Sequence, residues 1–195
     1  MKALIAAGGK GSRLYPLTHT QNKHTIPLAN TPLITLAVEK VVEAGITDIG
    51  ISINEGDQEI YRIIGDGSRW GVNITYIEQT GGALGVAHVI GNAASFLNGD
   101  DFLFYLGDNI ITNDLSLFVD KFYQEELNCL LALTQVYNPT QFGVPVIDNN
   151  RIVRIDEKPA HPPSQYAVAG LYMYDSHMLD AVQQLTLSER GEYEI

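Results

Sequence analysis

Cysteine and basic residues are scarce in this sequence. The 195 residues include one cysteine, Cys129, which excludes an internal disulfide framework and a zinc site built from several cysteines. Lysine and arginine together number 12 against 23 aspartates and glutamates, so the formal net charge is −11. Such an acidic chain is a poor candidate for binding nucleic acid, because those interfaces need a basic surface. Cys129 begins the apolar stretch 129–133, which predicts a buried strand residue.

Long apolar runs are missing as well. No run approaches the roughly 18 residues that a membrane-spanning helix needs. The short apolar stretch after Lys2 ends at Gly8 and Gly9 without a cleavage-site pattern. The sequence therefore predicts a cytoplasmic protein with neither a membrane span nor a signal peptide. A hydrophobic content of 45% over 195 residues is enough for a sizeable core, so we expect one domain over residues 1–195.

Acidic residues are absent from the first 38 positions, since Glu39 is the first of them. Residues 1–38 carry a net charge of +4, while the other 157 residues carry −15. This uneven distribution predicts an anion-binding site near the N-terminus.

Apolar periodicity predicts alternating strands and helices. We expect strands at 3–7, 48–53, 72–77, 102–106, 130–136, 143–147, 151–155 and 168–174, and helices at 31–44, 58–64, 84–97, 114–127 and 176–185. Thr31 is the expected N-cap of the first helix, and Gly45 its stop. This alternation is typical of an α/β fold with a Rossmann-like open, mixed, mostly parallel sheet and helices on both faces. The shorter strands after about residue 137 predict antiparallel additions to that sheet.

A glycine-rich segment, residues 8–14, follows the first strand. Gly8, Gly9 and Gly11 would let backbone N–H groups approach a phosphate, and Arg13 can donate two hydrogen bonds to it. Leu14 stands where a dinucleotide fingerprint needs a small residue, which argues against a nicotinamide-dependent enzyme. The lysine of a P-loop is missing too, so a plain glycine-rich turn stays open as an alternative.

A series of ordered blocks resembles the sugar-1-phosphate nucleotidylyltransferases, and within them most of all the glucose-1-phosphate thymidylyltransferases. The blocks are residues 8–18, 22–23, 26–27, 30–34, 44–49, 65–71, 106–109, 142–144, 156–159, 166–168, 170–172 and 190–195. The resemblance implies transfer of a nucleoside monophosphate from dTTP or UTP to a sugar 1-phosphate, with glucose 1-phosphate as the expected acceptor. It also implies Mg²⁺ as cofactor and a homo-oligomer when full length.

The resemblance assigns a nucleotide site. It implies that Arg13 and Lys23 hold the triphosphate, and that Asp108, just beyond an apolar strand, binds Mg²⁺. The other implied nucleotide-binding residues are Gly8, Gly9, Gly11, Ser12, Gln79 for the pyrimidine edge and Gly85 for the base. Gln79 and Gly85 are one residue further apart than in the commonest form of the family. The alternatives are solvated surface cations at Arg13 and Lys23, a plain turn at Asp108, and a solvent-facing rather than triphosphate-binding Lys10.

The resemblance also assigns a sugar-phosphate site. Glu157 would accept hydrogen bonds from sugar hydroxyls, and Lys158, also a catalytic residue, would bind the attacking phosphate. The other implied members are Asn109, Phe142, Gly143 and Val168. The alternative for Glu157 and Lys158 is a surface ion pair. For His24, which follows Lys23, packing or a surface position is favoured over a phosphate contact.

The last block stops where the family ordinarily continues Thr-Asp, and that aspartate is its second metal ligand. We therefore expect a nucleotidyltransferase catalytic domain that lacks the usual C-terminal portion, with weakened or absent turnover while nucleotide binding persists. The alternative is a nucleotide or nucleotide-sugar binding module without turnover.

Overall fold

The structure is a computed structural model that describes residues 1–9, 11–82, 84–187, 191 and 193, and only the backbone of Arg13. It divides into two compact units, one formed by Met1–Leu130 with Met173–Ile195 and the other by Leu131–Tyr172. In the part of the chain described, none of the helices is long and apolar enough to cross a membrane.

Strands and helices alternate along the chain. The strands are β1 (Lys2–Ala6), β2 (Pro27–Leu28), β3 (Thr31–Pro32), β4 (Asp48–Asn54), β5 (Asn73–Gln79), β6 (Phe102–Leu106), β7 (Cys129–Gln135), β8 (Gly143–Asp148), β9 (Arg151–Glu157) and β10 (Tyr166–Tyr174). The helices are α1 (Leu33–Glu43), α2 (Glu59–Ile64), α3 (Val86–Asn92), α4 (Ala94–Leu97), α5 (Ser116–Gln124) and α6 (Met178–Gln184). Short 3₁₀ helices occur at Ser12–Leu14, Leu17–His19, Lys23–Thr25, Ser68–Trp70 and Pro139–Gln141.

Parallel strands in the order β5, β4, β1 and β6 form the sheet of the first unit. Ile5 of β1 lies opposite Ile51 of β4 on one side and Tyr105 of β6 on the other. Residues 102–105 of β6 are at most 1% exposed, which explains the continuous apolar run: a parallel strand is covered on both faces. The predicted α/β class with an open, mostly parallel sheet is confirmed.

The parallel arrangement also positions polar residues. Because these strands run in one direction, the chain segments that follow them emerge at one edge of the sheet. Gly8 and Gly9 follow β1, residues 55–59 follow β4, Gln79 ends β5, and Asp108 lies two residues beyond β6. The topology therefore collects these segments at the carboxyl ends of the strands.

Antiparallel pairing occurs in the second unit, but the prediction that the strands there add to the parallel sheet is wrong for β8 and β9, which form a two-stranded sheet of their own. Strands β8 and β9 form a hairpin with Gly143 opposite Glu157 and an irregularity between Val146 and Ile147. Its tip carries Asn149 and Asn150, with φ of 48° and 62°, a left-handed pair that suits the twist of a tight hairpin.

Three local predictions are wrong. Thr31 does not cap α1, because Thr31 and Pro32 are extended and pair with Leu28 and Pro27, and the helix begins at Leu33. The helix predicted over 84–97 is two helices, since the backbone at Ala93 (ψ 2°) leaves the helical path between α3 and α4. Cys129 begins β7 but is exposed, and Ala132 alone among the residues of that strand is buried, so β7 is much less covered than the core strands.

Gly67 fills a turn, between α2 and β5, that tolerates no larger residue. Its φ is +89°, and a Cβ built there would lie 2.4 Å from the Val72 carbonyl oxygen. Gly71, at φ +70°, has no described atom within 4 Å of such a Cβ. A left-handed backbone costs a side-chain-bearing residue roughly 1–2 kcal/mol at either position. We expect Gly67→Ala to lower the free energy of unfolding by at least about 1 kcal/mol more than Gly71→Ala, because backbone must also move.

Urea denaturation of the two variants measures this difference, with unchanged m-values showing that the unfolding reaction is the same. Equal destabilisation would mean that the carbonyl of Val72 does not restrict the turn.

Candidate active site

Lys23 and Asp108, 85 residues apart in sequence, form an ion pair. Lys23 opens the 3₁₀ helix Lys23–Thr25, and its Nζ lies 2.6 Å from Asp108 Oδ2. The two side chains are 22% and 34% exposed, so both groups remain accessible to a ligand. The Gly107 N–H donates to the Ala6 carbonyl at 2.9 Å, which holds the ends of β6 and β1 side by side beneath the pair. The ion pair therefore lies at the carboxyl ends of parallel strands, where open α/β sheets bind ligands.

Asp108 is ionised at neutral pH. Burial opposes its ionisation, but the hydrogen bond from Lys23 and the charge of Lys23 outweigh burial and hold the pKa of Asp108 below its ordinary value. The carboxylate is thus negatively charged, and one of its oxygens is used by Lys23.

His24 is packed inside the protein at 1% exposed, one of the two placements that the sequence favours over a phosphate contact, and is neutral. Burial, followed by the positive charge of Lys23, lowers the pKa of His24 to about 4, against the opposing charges of Asp108 and Asp57. Its Nδ1 lies 2.8 Å from Asn22 Oδ1, an acceptor, so Nδ1 carries the hydrogen. His24 therefore supports the segment without adding positive charge.

The glycine-rich segment is shaped by two side chains that the sequence did not single out. Gly9, at φ +106°, donates its N–H to Asn54 Oδ1 at 3.0 Å. Gly11, at φ +60°, accepts a hydrogen bond from Thr18 Oγ1 at 2.7 Å. A Cβ built on Gly11 would lie 3.2 Å from Lys23 Cβ, so the segment runs directly beside the ion pair. Ser12 opens a 3₁₀ helix, whereas Lys10 and the Arg13 side chain lie outside the described residues.

Gln79 and Gly8 are in contact. Gln79 ends β5 and is 8% exposed, and a Cβ built on Gly8 would lie 2.6 Å from its Oε1. The space beside Gly8 is therefore filled by the Gln79 amide, a proximity that the sequence did not predict. Gly85, with φ +95°, directly precedes α3.

Acidic residues also lie near the acid-free N-terminal segment. Asp57 and Glu59 follow β4 and hydrogen bond to Asn22, at 2.6 Å from Asn22 Nδ2 and 3.0 Å from Asn22 N respectively. With Gly9 and Asn54 they line part of a cavity of about 360 Å³. Asp57 and Glu59 lie beside Asn22 because β4 pairs with β1. Their local sequence does not indicate this proximity.

In the second unit, five of the six residues predicted for the sugar-phosphate site come together. A Cβ built on Gly143 would lie 3.3 Å from Glu157 Oε2 and 3.9 Å from Val168 Cγ2. The Lys158 N–H donates to the Phe142 carbonyl at 3.0 Å, and its Nζ lies 3.2 Å from Glu157 Oε1. An ion pair this exposed adds little stability.

The sequence did not single out Tyr172, and Asn109 is the sixth residue that the resemblance assigns to the sugar-phosphate site. Burial and the neighbouring charge of Glu157 raise the pKa of Tyr172 to about 12, so its hydroxyl is protonated and lies in the electrostatic field of that carboxylate. Asn109 belongs to the first unit, where its carbonyl accepts a hydrogen bond from the Tyr105 hydroxyl at 3.0 Å.

Asp108, in the first unit, is a candidate metal ligand. Within the described residues, no group of three or more histidine, cysteine, aspartate or glutamate side chains is arranged to hold a metal. Asp108 nevertheless fits Mg²⁺, because it offers an ionised, accessible carboxylate and Mg²⁺ needs only one or two protein carboxylates when phosphates and waters complete its shell.

Comparison with known proteins identifies the family of the chain. Residues 2–195 match the family model described as nucleotidyl transferase. The whole chain is 44% identical to the low-salt glycan biosynthesis nucleotidyltransferase Agl11 of Haloferax volcanii and 41% identical to the glucose-1-phosphate thymidylyltransferase of Streptomyces griseus. It spans only 55% of the length of each of these two relatives.

Solved structures show the same fold. A Bacillus anthracis protein assigned as a glucose-1-phosphate thymidylyltransferase and solved in complex with a sucrose is 39% identical, with a TM-score of 0.92 over all of this chain and 79% of that one. A UDP-glucose pyrophosphorylase complexed with UDP-glucose, 20% identical, has a TM-score of 0.83 over 98% of this chain and 82% of that one, and shares the fold. With both sequence and structure matched over nearly its whole length, the chain belongs to the nucleotidyl transferase family.

Proposed function

We propose that this protein transfers a nucleoside monophosphate from dTTP or UTP to a sugar 1-phosphate, with glucose 1-phosphate as the acceptor, and releases pyrophosphate. The observation that carries the proposal is the Lys23–Asp108 ion pair beside the glycine-rich segment, at the carboxyl ends of β1 and β6. Membership of the nucleotidyl transferase family and relatives named glucose-1-phosphate thymidylyltransferase support it.

The reaction needs positive charge and alignment more than acid–base chemistry. A phosphate oxygen of the sugar 1-phosphate attacks the α-phosphorus, and the bond from that phosphorus to the bridging oxygen breaks as pyrophosphate leaves. This nucleophile is already ionised at neutral pH, so no general base is required. Two unit charges 4 Å apart repel by about 4 kcal/mol at an effective dielectric constant of 20, and both substrates carry several. The protein must offset this repulsion and hold the reacting atoms in line.

Lys23 supplies such a charge in the first unit. Asp108 holds the ammonium group at the sheet edge before substrate binds, so little side-chain freedom is left to lose. In the proposed complex Lys23 donates hydrogen bonds to the triphosphate, and Arg13 and the backbone of Gly8, Gly11 and Ser12 contribute to the same site. Charge-assisted hydrogen bonds of this kind are about twice as strong as neutral ones.

Asp108 would hold Mg²⁺, which supplies charge neutralisation on the phosphate oxygens when it is bound. The role of the protein there is to keep an ionised carboxylate at the ends of β1 and β6. The lowered pKa of Asp108 means that protons do not compete for this carboxylate at neutral pH.

Residues of the second unit are proposed to bind the sugar 1-phosphate. The absence of a side chain at Gly143 leaves room beside the Glu157 carboxylate for a sugar hydroxyl, and Lys158 offers its ammonium group to the phosphate. In the first unit, Gln79 and Gly85 are proposed to contact the pyrimidine base, with dTTP preferred over UTP.

Pyrophosphate release tests the proposal. The 195-residue chain, and the same chain extended by the Thr-Asp of the family block, are incubated with Mg²⁺ and pairs of nucleoside triphosphates and sugar 1-phosphates. We expect release that requires both substrates, is fastest with dTTP and glucose 1-phosphate, and increases in the extended chain.

Omission of either substrate, and chelation of the metal with EDTA, are the controls. No release from either chain with any substrate pair would remove the enzymatic proposal. Binding of dTTP without release would instead support a binding module.

A further inference from the structure

A single carboxylate holds both ends of the turn that carries Lys23. Glu59 Oε2 accepts a hydrogen bond from the Asn22 backbone N–H at 3.0 Å, and Glu59 Oε1 accepts one from Thr25 Oγ1 at 2.9 Å. Asn22 directly precedes the 3₁₀ helix Lys23–Thr25, and Thr25 ends it. We call these two hydrogen bonds the Glu59 clamp.

The clamp is anchored on the rest of the first unit. Asn22 Nδ2 donates to Asp57 Oδ2 at 2.6 Å and to the Ala7 carbonyl at 3.3 Å. Asp57 Oδ1 in turn accepts the Glu59 N–H at 2.9 Å, at the start of α2. The turn is therefore tied to the end of β1 and to the first residues of α2, both of which are fixed by the parallel sheet.

The orientation of Glu59 argues against direct contact with the nucleotide. Both of its oxygens are directed to Asn22 and Thr25, and a free carboxylate beside a triphosphate would repel it. A lysine side chain has roughly 2 kcal/mol of rotamer entropy, so fixing its backbone reduces what must be ordered when a ligand binds. Displacement of a catalytic group by about 1 Å can lower a rate about 100-fold.

We propose that Glu59 is a positioning residue for Lys23: by clamping Asn22 and Thr25 it fixes the backbone from which the Lys23 ammonium reaches Asp108 and the triphosphate. This inference rests on the proposed role of Lys23 in nucleotidyl transfer.

Substitution of Glu59 by glutamine removes the negative charge of the side chain but can keep both hydrogen bonds of the clamp. The Asn22 N–H can donate to the amide oxygen, and the amide nitrogen can donate to Thr25 Oγ1. The Thr25 hydroxyl then gives its own hydrogen to the Asn22 carbonyl, which lies 2.8 Å away. Glu59→Gln therefore keeps the clamp, whereas Glu59→Ala removes it.

Steady-state kinetics give the first measurement. We expect Glu59→Ala to lower kcat/KM for the nucleotide about 30- to 100-fold, while the KM for the sugar 1-phosphate stays within about twofold. Glu59→Gln should stay within about threefold of the parent. In a Lys23→Ala background, Glu59→Ala should add less than about threefold, because a residue that acts through Lys23 has nothing left to position.

Asp66→Ala is the matched control, since Asp66 is an exposed carboxylate that also accepts a backbone N–H, from Ser68 at 3.0 Å, but lies beside the first residues of β5, where its carbonyl accepts the Ile74 N–H at 3.4 Å. Should Glu59→Ala fail to fold, Thr25→Val removes the hydrogen bond to Glu59, together with the contact of the same hydroxyl with the Asn22 carbonyl, with little change of shape and should lower kcat/KM about 3- to 10-fold.

Acylation of lysines by acetic anhydride, followed by mass spectrometry, gives a readout that needs no turnover. Lys121, on the exposed surface of α5, serves as internal reference. We expect Glu59→Ala to raise the acylation rate of Lys23 relative to Lys121 at least about threefold, because the ammonium is released from Asp108. Glu59→Gln should leave this rate unchanged.

A raised acylation rate of Lys23 in Glu59→Ala, without nucleotidyl transfer in any variant, supports positioning and refutes the proposed function. Unchanged acylation in Glu59→Ala, equal effects of Ala and Gln, or full additivity with Lys23→Ala would overturn positioning.

Discussion

Replacement of Lys23 by alanine is expected to lower kcat/KM for nucleotidyl transfer about 100- to 1,000-fold. Removal of one preorganised donor to a developing negative charge typically has an effect of this size. The substitution also leaves the half-buried Asp108 carboxylate without the ammonium 2.6 Å away, so its negative charge repels the triphosphate. Initial rates of pyrophosphate release at varied dTTP, in whichever of the two chain lengths turns over faster, give the value.

Lys40→Ala is the matched control for the loss of one positive charge. Lys40 forms a surface ion pair with Glu43 on α1, with Nζ 3.0 Å from Oε2, and should change kcat/KM less than about twofold. Equal effects of the two substitutions would show that Lys23 acts through overall charge and not through its place at the sheet edge.

Asp108→Asn should abolish most of the metal-dependent rate, by about 1,000-fold, while dTTP affinity measured without metal changes less than about tenfold. Asparagine keeps the size of the side chain and an oxygen for Lys23, but it is a far weaker ligand for Mg²⁺ than a carboxylate. Rates over a series of Mg²⁺ concentrations and calorimetric dTTP binding separate the two effects.

Asp114→Asn serves as the comparison, because Asp114 is an exposed carboxylate that accepts the Ser116 N–H at 2.9 Å, a bond that asparagine can also form. Parent-like activity of Asp108→Asn at every Mg²⁺ concentration would remove Asp108 from the metal site.

Much of the fold was predictable because its core strands leave a strong local signal. The run of apolar residues 102–106 coincides with β6, since a strand buried on both faces excludes polar side chains. Predictions were wrong where tertiary pairing overrides local preference. Thr31 pairs with Leu28 in a short strand, and Cys129 lies in an apolar stretch whose strand is largely uncovered.

Some residues of the candidate site were predictable from the sequence, and others depend on the tertiary structure. The resemblance placed Lys23 and Asp108 in one site, but no spacing rule could predict an ion pair between residues 85 positions apart. Glu59 carried no signal, because an acidic residue in the first turn of a helix is usually explained by the helix dipole alone. Its two hydrogen bonds to Asn22 and Thr25 depend on β4 lying beside β1, which only the sheet topology establishes.

Transfer of a nucleoside monophosphate from a nucleoside triphosphate to a sugar 1-phosphate can be followed directly by labelling. The protein is incubated with dTTP labelled with ³²P at the α-phosphate, glucose 1-phosphate and Mg²⁺, and the products are separated by chromatography. We expect the label to move into a nucleotide sugar, with one pyrophosphate released for each molecule formed. Label that stays in dTTP, or that appears only in dTMP, would contradict it.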